Sequence, residues 1–217
     1  VPIMSQQEAL GFLLVVGRFN HVEFSDHEIE FLHTLCNNAL ISMENARLAE
    51  EELKKKALED ELALARDIQK RLLPRSEPKV SGFEFYGRNW SSLMVGGDYY
   101  DFIELDEQRV AIAIADVSGK GVGASLLMSN LQATLHALIH ARLSLNEIVY
   151  RINNIVHQNT PLDKFITFFV AIVDIATCEM TYVNAGHNPP YLQRDNSALD
   201  CLEVGGLILG MMPDVSY

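Results

Sequence analysis

Cysteine is scarce in this chain of 217 residues: Cys36, Cys178 and Cys201 are odd in number and form no C-x-x-C pair. That argues against a disulfide framework and predicts free thiols in a reducing cytosol. Bases are also few, 17 against 29 acids, for a formal charge of −12. A surface built to neutralise nucleic-acid phosphates is excluded on that balance. A single tryptophan, Trp90, cannot make a stacking platform for bases. No apolar run approaches the ~20 residues of a spanning helix; the longest, residues 10–16 and 110–115, are strand-sized, so no membrane segment is expected. What remains is ordinary for a soluble globular protein, 48% hydrophobic and 21% charged. The chain begins at Val1 without a charged-then-apolar leader and stops at Tyr217, just after a glycine-rich stretch. A cytoplasmic piece of a longer protein is the expectation.

Residues 10–16 (LGFLLVV) predict a buried strand ending at Gly17. Ser25-Asp26-His27-Glu28 fits the S-x-x-E capping box, opening a helix whose Ile29, Leu32, Leu35, Cys36, Ala39, Leu40 and Met43 form one apolar stripe. So small a set of elements reads as the tail of a larger α+β domain. No helix breaker follows from Ala46 until Pro74, and residues 50–79 hold eight acids and eight bases. Leu58, Leu62, Ala65 and Leu72 lie on a 4-3 spacing with Gln69 at one seam position. The segment is either a marginal two-stranded coiled coil or a solvated single helix. Beyond Pro78, strands are predicted at residues 83–88, 101–105, 109–115, 165–175 and 180–183, with a hairpin of Leu192 and residues 199–204 around Asp195-Asn196. Helices are predicted at residues 122–140 and from Ser144 to about His157. Hairpins before and after a helix pair point to an α+β domain with antiparallel sheet and segregated helices.

Chemistry concentrates in residues 95–124. Asp98 follows Gly96-Gly97, where the backbone turns tightly and nothing bulky shields the acid. Asp116 ends an apolar strand ahead of Ser118-Gly119-Lys120-Gly121. Two acids at strand ends beside glycines can share a cleft and offer oxygen ligands to a hard divalent cation. Gly119-x-Gly121-x-x-Ala124 matches a dinucleotide fingerprint, but Asp116 would face the pyrophosphate and no acid-ended strand follows ~20 residues later. The phosphate-loop pattern fails because Gly121 stands where Ser or Thr is required.

VGGDYYDF (95–102), IADVSGKGVGASLLM (114–128) and VNAGHNPP (183–190) resemble the bacterial PPM-type serine/threonine phosphatases of the SpoIIE/RsbU group. DIQKRLLP (67–74) is similar to the helix and proline that introduce that domain, and residues 10–48 resemble the closing strand and helix of a GAF sensory domain. The resemblance implies three regions: residues 1–48, part of a GAF-like sensor; 49–78, a helical linker; and 79–217, a phosphatase domain truncated at its end. It implies an α+β fold of two stacked antiparallel sheets flanked by helices, with two Mn²⁺ or Mg²⁺ ions at one end. Asp116 would bridge both metals, the Val117 carbonyl would add a ligand, and Asp98 would hold the second metal directly or through water. Such cations activate water for in-line attack on phosphorus. Lys120 is a phosphate contact or a solvated turn lysine.

The substrate implied is a phosphoserine or phosphothreonine on a small regulator, typically an anti-sigma-factor antagonist, with a small ligand at the GAF-like part and a homodimer through residues 46–73. The alternative is a non-catalytic module that only binds its partner. Departures are also evident. Two further metal aspartates of the family lie beyond Tyr217, so these residues alone are expected to be inactive. No arginine stands just before Asp98, and Arg88 is ten positions away. His136 and His140 lack the H-E-x-x-H pattern and read as packing or surface residues. His187 reads as a loop-bracing residue, and Ser118 has no paired histidine nearby in sequence.

Overall fold

The computed structural model describes residues 2–5, 8–14, 23–90, 93–161, 163–194 and 199–217. It divides into two compact units, Val1–Glu61 and Leu62–Tyr217.

In the first unit, β1 (Pro2–Ser5) and β2 (Glu8–Phe12) pair antiparallel, with a bulge between Ile3 and Met4. The predicted strand at 10–16 is thus shorter and shifted, and Val15, Val16 and Gly17 lie outside the described residues. The Ser25 box forms as read. Glu28 Oε2 accepts from the Ser25 N–H and hydroxyl (2.9 Å each), and the Glu28 N–H donates back to Ser25 Oγ at 3.4 Å. It opens α1 (Asp26–Leu72), 47 residues long, so the two predicted helical segments are one helix. The predicted stripe is not buried: Cys36 is covered, whereas Leu35 and Met43 are exposed. Two short strands offer too little surface to cover a helix face.

The second unit is built on a five-stranded sheet ordered β3-β4-β5-β6-β9. Its strands are β3 (Tyr99–Glu104), β4 (Arg109–Val117), β5 (Ile166–Asp174), β6 (Glu179–Ala185) and β9 (Gly205–Gly206). The first four pair antiparallel, while β9 joins β6 in parallel. Between β4 and β5 the chain makes α2 (Val122–Ile139) and α3 (Leu145–Asn159), the latter capped by Ser144 Oγ accepting from the Glu147 N–H. Alternation along the strands sends Tyr99, Ala111, Ala113, Val117, Ile166, Phe168 and Val170 into one core with Met128, Leu131, Leu135, Ile148 and Ile152. Among the described residues α2 is long and apolar enough, by length and composition, to cross a membrane. Its Met128, Leu131 and Leu135 are nevertheless fully buried in that core.

The opposite sheet face is covered only in part. β7 (Tyr191–Gln193) and β8 (Leu199–Cys201) form the predicted hairpin, whose turn lies outside the described residues, and Leu192 and Leu202 pack on Phe169 and Ala171. Ile114, one strand over, is 41% exposed. The α+β class with a helix-flanked, antiparallel-rich sheet is as expected; the second stacked sheet of the implied pair is represented among the described residues by this hairpin alone.

Residues 83–88 do not form the predicted strand. After an isolated bridge between Val80 and Phe83 they run extended without a ladder. Their alternation serves side-chain packing instead: Phe85 meets Phe102 at 5.6 Å between ring centroids, and the Tyr100 hydroxyl donates to the Gly87 carbonyl at 3.1 Å.

Candidate functional site

The β3–β4 register explains why two acids 18 positions apart share a cleft. Tyr99 pairs with Ala115, so one further step along the same antiparallel diagonal sets Asp98 across from Asp116. Side chains on directly opposed positions point to the same face and stand roughly 5 Å apart at Cβ. Burial raises the Asp116 pKa above its ordinary value, and the charge and a side-chain hydrogen bond of Asp98 raise it further; His187 acts weakly the other way. Both acids line one cleft of about 230 Å³ with Arg88, Asn89, Trp90 and His187. They also line an adjoining one of about 360 Å³ with Gly97, Val117 and Lys120.

On its other side Asp116 pairs with Thr167 of β5. Thr167 Oγ1 lies 2.9 Å from His187 Nδ1 and donates to the Asp116 carbonyl at 3.4 Å. Asn184 Oδ1 accepts from the His187 N–H at 2.8 Å, while its amide nitrogen donates to the carbonyls of His187 and Leu202 at 3.1 Å each. His187 therefore braces its loop, as the sequence suggests, with its ring at the cleft wall. Burial lowers its pKa, against the pull of the Asp116 charge. Ser118 is occupied structurally, its Oγ accepting from the Phe165 N–H at 2.9 Å.

The residues present fit a divalent cation in part. Two adjoining carboxylates that disfavour each other's charge are a donor set that a cation relieves. Gly97 keeps a third oxygen open, because a Cβ there would sit 2.9 Å from the Val117 carbonyl oxygen. Asn89 Oδ1, in the same wall, is buried with no hydrogen-bond partner. Among the described residues no group of three or more His, Cys, Asp or Glu gathers at one point, so a cation here would draw on the two carboxylates and the Val117 carbonyl.

Several residues escaped the sequence reading. Arg88, set aside for its distance in sequence from Asp98, lines the acid cleft with its guanidinium 4.4 Å from the Trp90 ring centroid. Gln69, read as a seam position, donates to the Gly96 carbonyl at 2.6 Å and accepts from the Gly96 N–H at 3.0 Å. His136 is at the surface, as read, but its ring also reaches a buried carboxylate that the sequence did not link to it. Its Nε2 lies 2.6 Å from Asp101 Oδ2, to which the Tyr99 hydroxyl donates at 2.7 Å, while the Phe102 N–H donates to Oδ1 at 2.8 Å. Only the spacing of alternate residues in Asp98-Tyr99-Tyr100-Asp101, which turns Asp98 and Asp101 to opposite faces, could have signalled that network.

An antiparallel sheet with a helix pair on one face is the fold of PP2C-type phosphatase domains. The SiaA-PP2C domain of Pseudomonas aeruginosa shares it at TM-score 0.56 and 18% identity, over 73% of this chain and 64% of that one. The PP2C phosphatase domain of SpoIIE from Bacillus subtilis, solved with a fragment of its regulatory domain, does so at TM-score 0.50 and 19% identity, over 65% and 39%. Residues 106–217 match the stage II sporulation protein E (SpoIIE) family, and the chain belongs to it.

The phosphoserine phosphatase RsbU of Bacillus subtilis (strain 168) is 33% identical over 162 residues, 74% of this chain and 48% of that protein. The phosphoserine phosphatase RsbP of the same organism is 30% identical over 163 residues, 72% and 40%. The chain thus spans about half the length of the first of these relatives and less of the second. The resemblance to the SpoIIE/RsbU group holds.

Proposed function

We propose that the chain carries the catalytic part of a metal-dependent phosphatase that removes phosphate from serine or threonine of a bacterial regulatory protein, an anti-sigma-factor antagonist. The observation that carries this reading is the facing of Asp98 and Asp116 in one open cleft. Two relatives named phosphoserine phosphatases support it. Asp116, Asp98 and the Val117 carbonyl would hold Mn²⁺ or Mg²⁺. Bound there, the ions would lower the pKa of coordinated water and neutralise phosphoryl oxygens.

The chain's own residues supply the rest. Arg88, steadied on Trp90, and Lys120, across the two adjoining clefts, offer cationic donors to a phosphoryl dianion that the acids would otherwise repel. The carboxylates orient the attacking water and His187 closes one wall, so no side chain need become phosphorylated.

Residues 1–48 are assigned as part of a GAF-like sensor that takes a small ligand, 49–78 as linker and 79–217 as the phosphatase domain. The support is the hairpin and helix of the first unit and the single helix α1 that runs through both. Pairing of two copies through residues 46–73 has the support of exposed Leu48, Leu53, Leu58, Leu64 and Ile68. Of the 4-3 seam, Leu62, Ala65, Gln69 and Leu72 are half-buried, so the exposed residues are the ones left to pair. Three free cysteines support a cytoplasmic setting.

The test is manganese- or magnesium-dependent release of phosphate from a phosphoserine protein by a protein that carries this chain at the length of its relatives. Asp116→Asn is expected to lower kcat more than about 100-fold, beyond what losing an outer-shell partner costs, with folding intact. The alternative reading is a module that binds its phosphorylated partner without hydrolysing it. Tight partner binding with no metal-dependent release in wild type would select it.

A further inference from the structure

We propose that Gln69 is a positioning residue for Asp98, acting through the backbone of Gly96. Its side-chain amide binds both polar groups of that one residue, donating to the carbonyl at 2.6 Å and accepting from the N–H at 3.0 Å. In geometry this copies what a neighbouring strand would do, at a point where β3 has not yet begun. The Gly96-Gly97 pair needs such help, because glycine loses more conformational freedom on ordering than any other residue. Among the described residues one further side-chain bond holds the turn, from Asn89 Nδ2 to the Asp98 carbonyl at 3.1 Å. Gln69 is itself fixed from behind: it lies three residues before the end of α1, where Leu72 is half-buried and Leu73 packs on the main core. The chain from helix to turn to acid is therefore continuous, and it ends two residues from Asp98.

Chemistry selects glutamine here. A carboxylate could accept from the Gly96 N–H but would face the Gly96 carbonyl with no proton to give, and an aliphatic chain would serve neither group. The role rests on the proposed part of Asp98 in hydrolysis, so the test separates the two.

In a protein that carries this chain at the length of its relatives, Gln69→Leu and Gln69→Glu would be compared with wild type for amide exchange at Gly96 and for kcat and KM on a phosphoserine protein. Expected for Gln69→Leu is faster exchange at Gly96, by about tenfold or more, and a kcat about 10–100-fold lower with KM within about twofold. Gln69→Glu, which keeps the acceptor, is expected to fall between Gln69→Leu and wild type. Faster exchange with unchanged kcat would overturn the proposal, as would unchanged exchange. Should Gln69→Leu fail to fold, Gln69→Glu alone decides by the same two readouts. If wild type releases no phosphate, the functional reading falls, while slow Gly96 exchange that quickens in both variants still upholds the clamp.

Discussion

Asp98 and Asp116 reach one cleft by opposite means. Asp116 is the penultimate residue of a nine-residue strand, and its place is set by the β4–β5 ladder that pairs it with Thr167. Asp98 precedes β3 and sits on a two-glycine turn gripped by the side-chain amides of Gln69 and Asn89. One acid is held by backbone repetition, which many residue types can supply; the other depends on specific side chains from distant segments. Strength and specificity are thus divided: damage to the turn should move Asp98 and leave Asp116 in place.

The heaviest blow to both would come from beneath the sheet. Asp101 is 4% exposed and ties Tyr99, next to Asp98, to His136 on α2. Burial and the Asp101 charge push the Tyr99 hydroxyl far above its ordinary pKa, so it stays a donor. Asp101→Ala leaves a buried hydroxyl and an imidazole without their acceptor and is expected to cost about 3 kcal/mol in urea unfolding. Gly97→Ala is the sharper cut between the acids. Its Cβ would meet the Val117 carbonyl oxygen at 2.9 Å and the Val117 and Ala124 Cβ atoms at 3.0 and 3.2 Å. The expected cost is about 1–3 kcal/mol, with loss of turnover; β4 amide exchange from Arg109 to Ala115, away from the Val117 clash, should stay as in wild type, which hydrogen-exchange mapping would check.

Smaller still is a pH effect carried by Asp116. Its folded pKa is raised from 3.8, first by burial and then by Asp98, so the folded state holds that proton more tightly than the unfolded chain. The contribution to stability is complete below pH 3.8 and is lost as pH climbs through the raised folded value. In metal-free protein, the difference in unfolding midpoint between Asp116→Asn and wild type should therefore grow with pH across that window. A constant difference would mean that Asp98 does not press on Asp116. Smallest of all is Thr167→Val, which removes the 2.9 Å hydrogen bond with His187 Nδ1 and the long 3.4 Å bond to the Asp116 carbonyl but leaves the ladder. Turnover is expected within about tenfold of wild type, since a neutral hydrogen bond carries about 1 kcal/mol and the ladder still holds Asp116.

How far the sequence was readable follows the same division. Asp98 and Asp116 were legible because glycine-flanked acids at strand ends are local patterns, and α2, α3 and the Ser25 cap were legible for the same reason. Gln69 was not, since heptad spacing assigned it to a seam and nothing in a linear pattern says that a helix turns that position toward a glycine 27 residues on. Arg88 was discounted by sequence distance, although the aromatic contacts of residues 83–90 carry it to the cleft. Those same aromatics suggested a strand at 83–88, because alternation reports that side chains face two ways and not that a ladder forms. The implied second sheet came from the resemblance rather than from any residue pattern.

The pairing of Asp116 with Thr167 closes a loop of 51 positions that contains both core helices. Closing so long a segment is entropically slow compared with zipping the β3–β4 hairpin. Synthesis order follows the same path: in a half-made polypeptide the β3–β4 hairpin already opposes Asp98 and Asp116, while Thr167 and the His187 wall arrive only after both helices have been made.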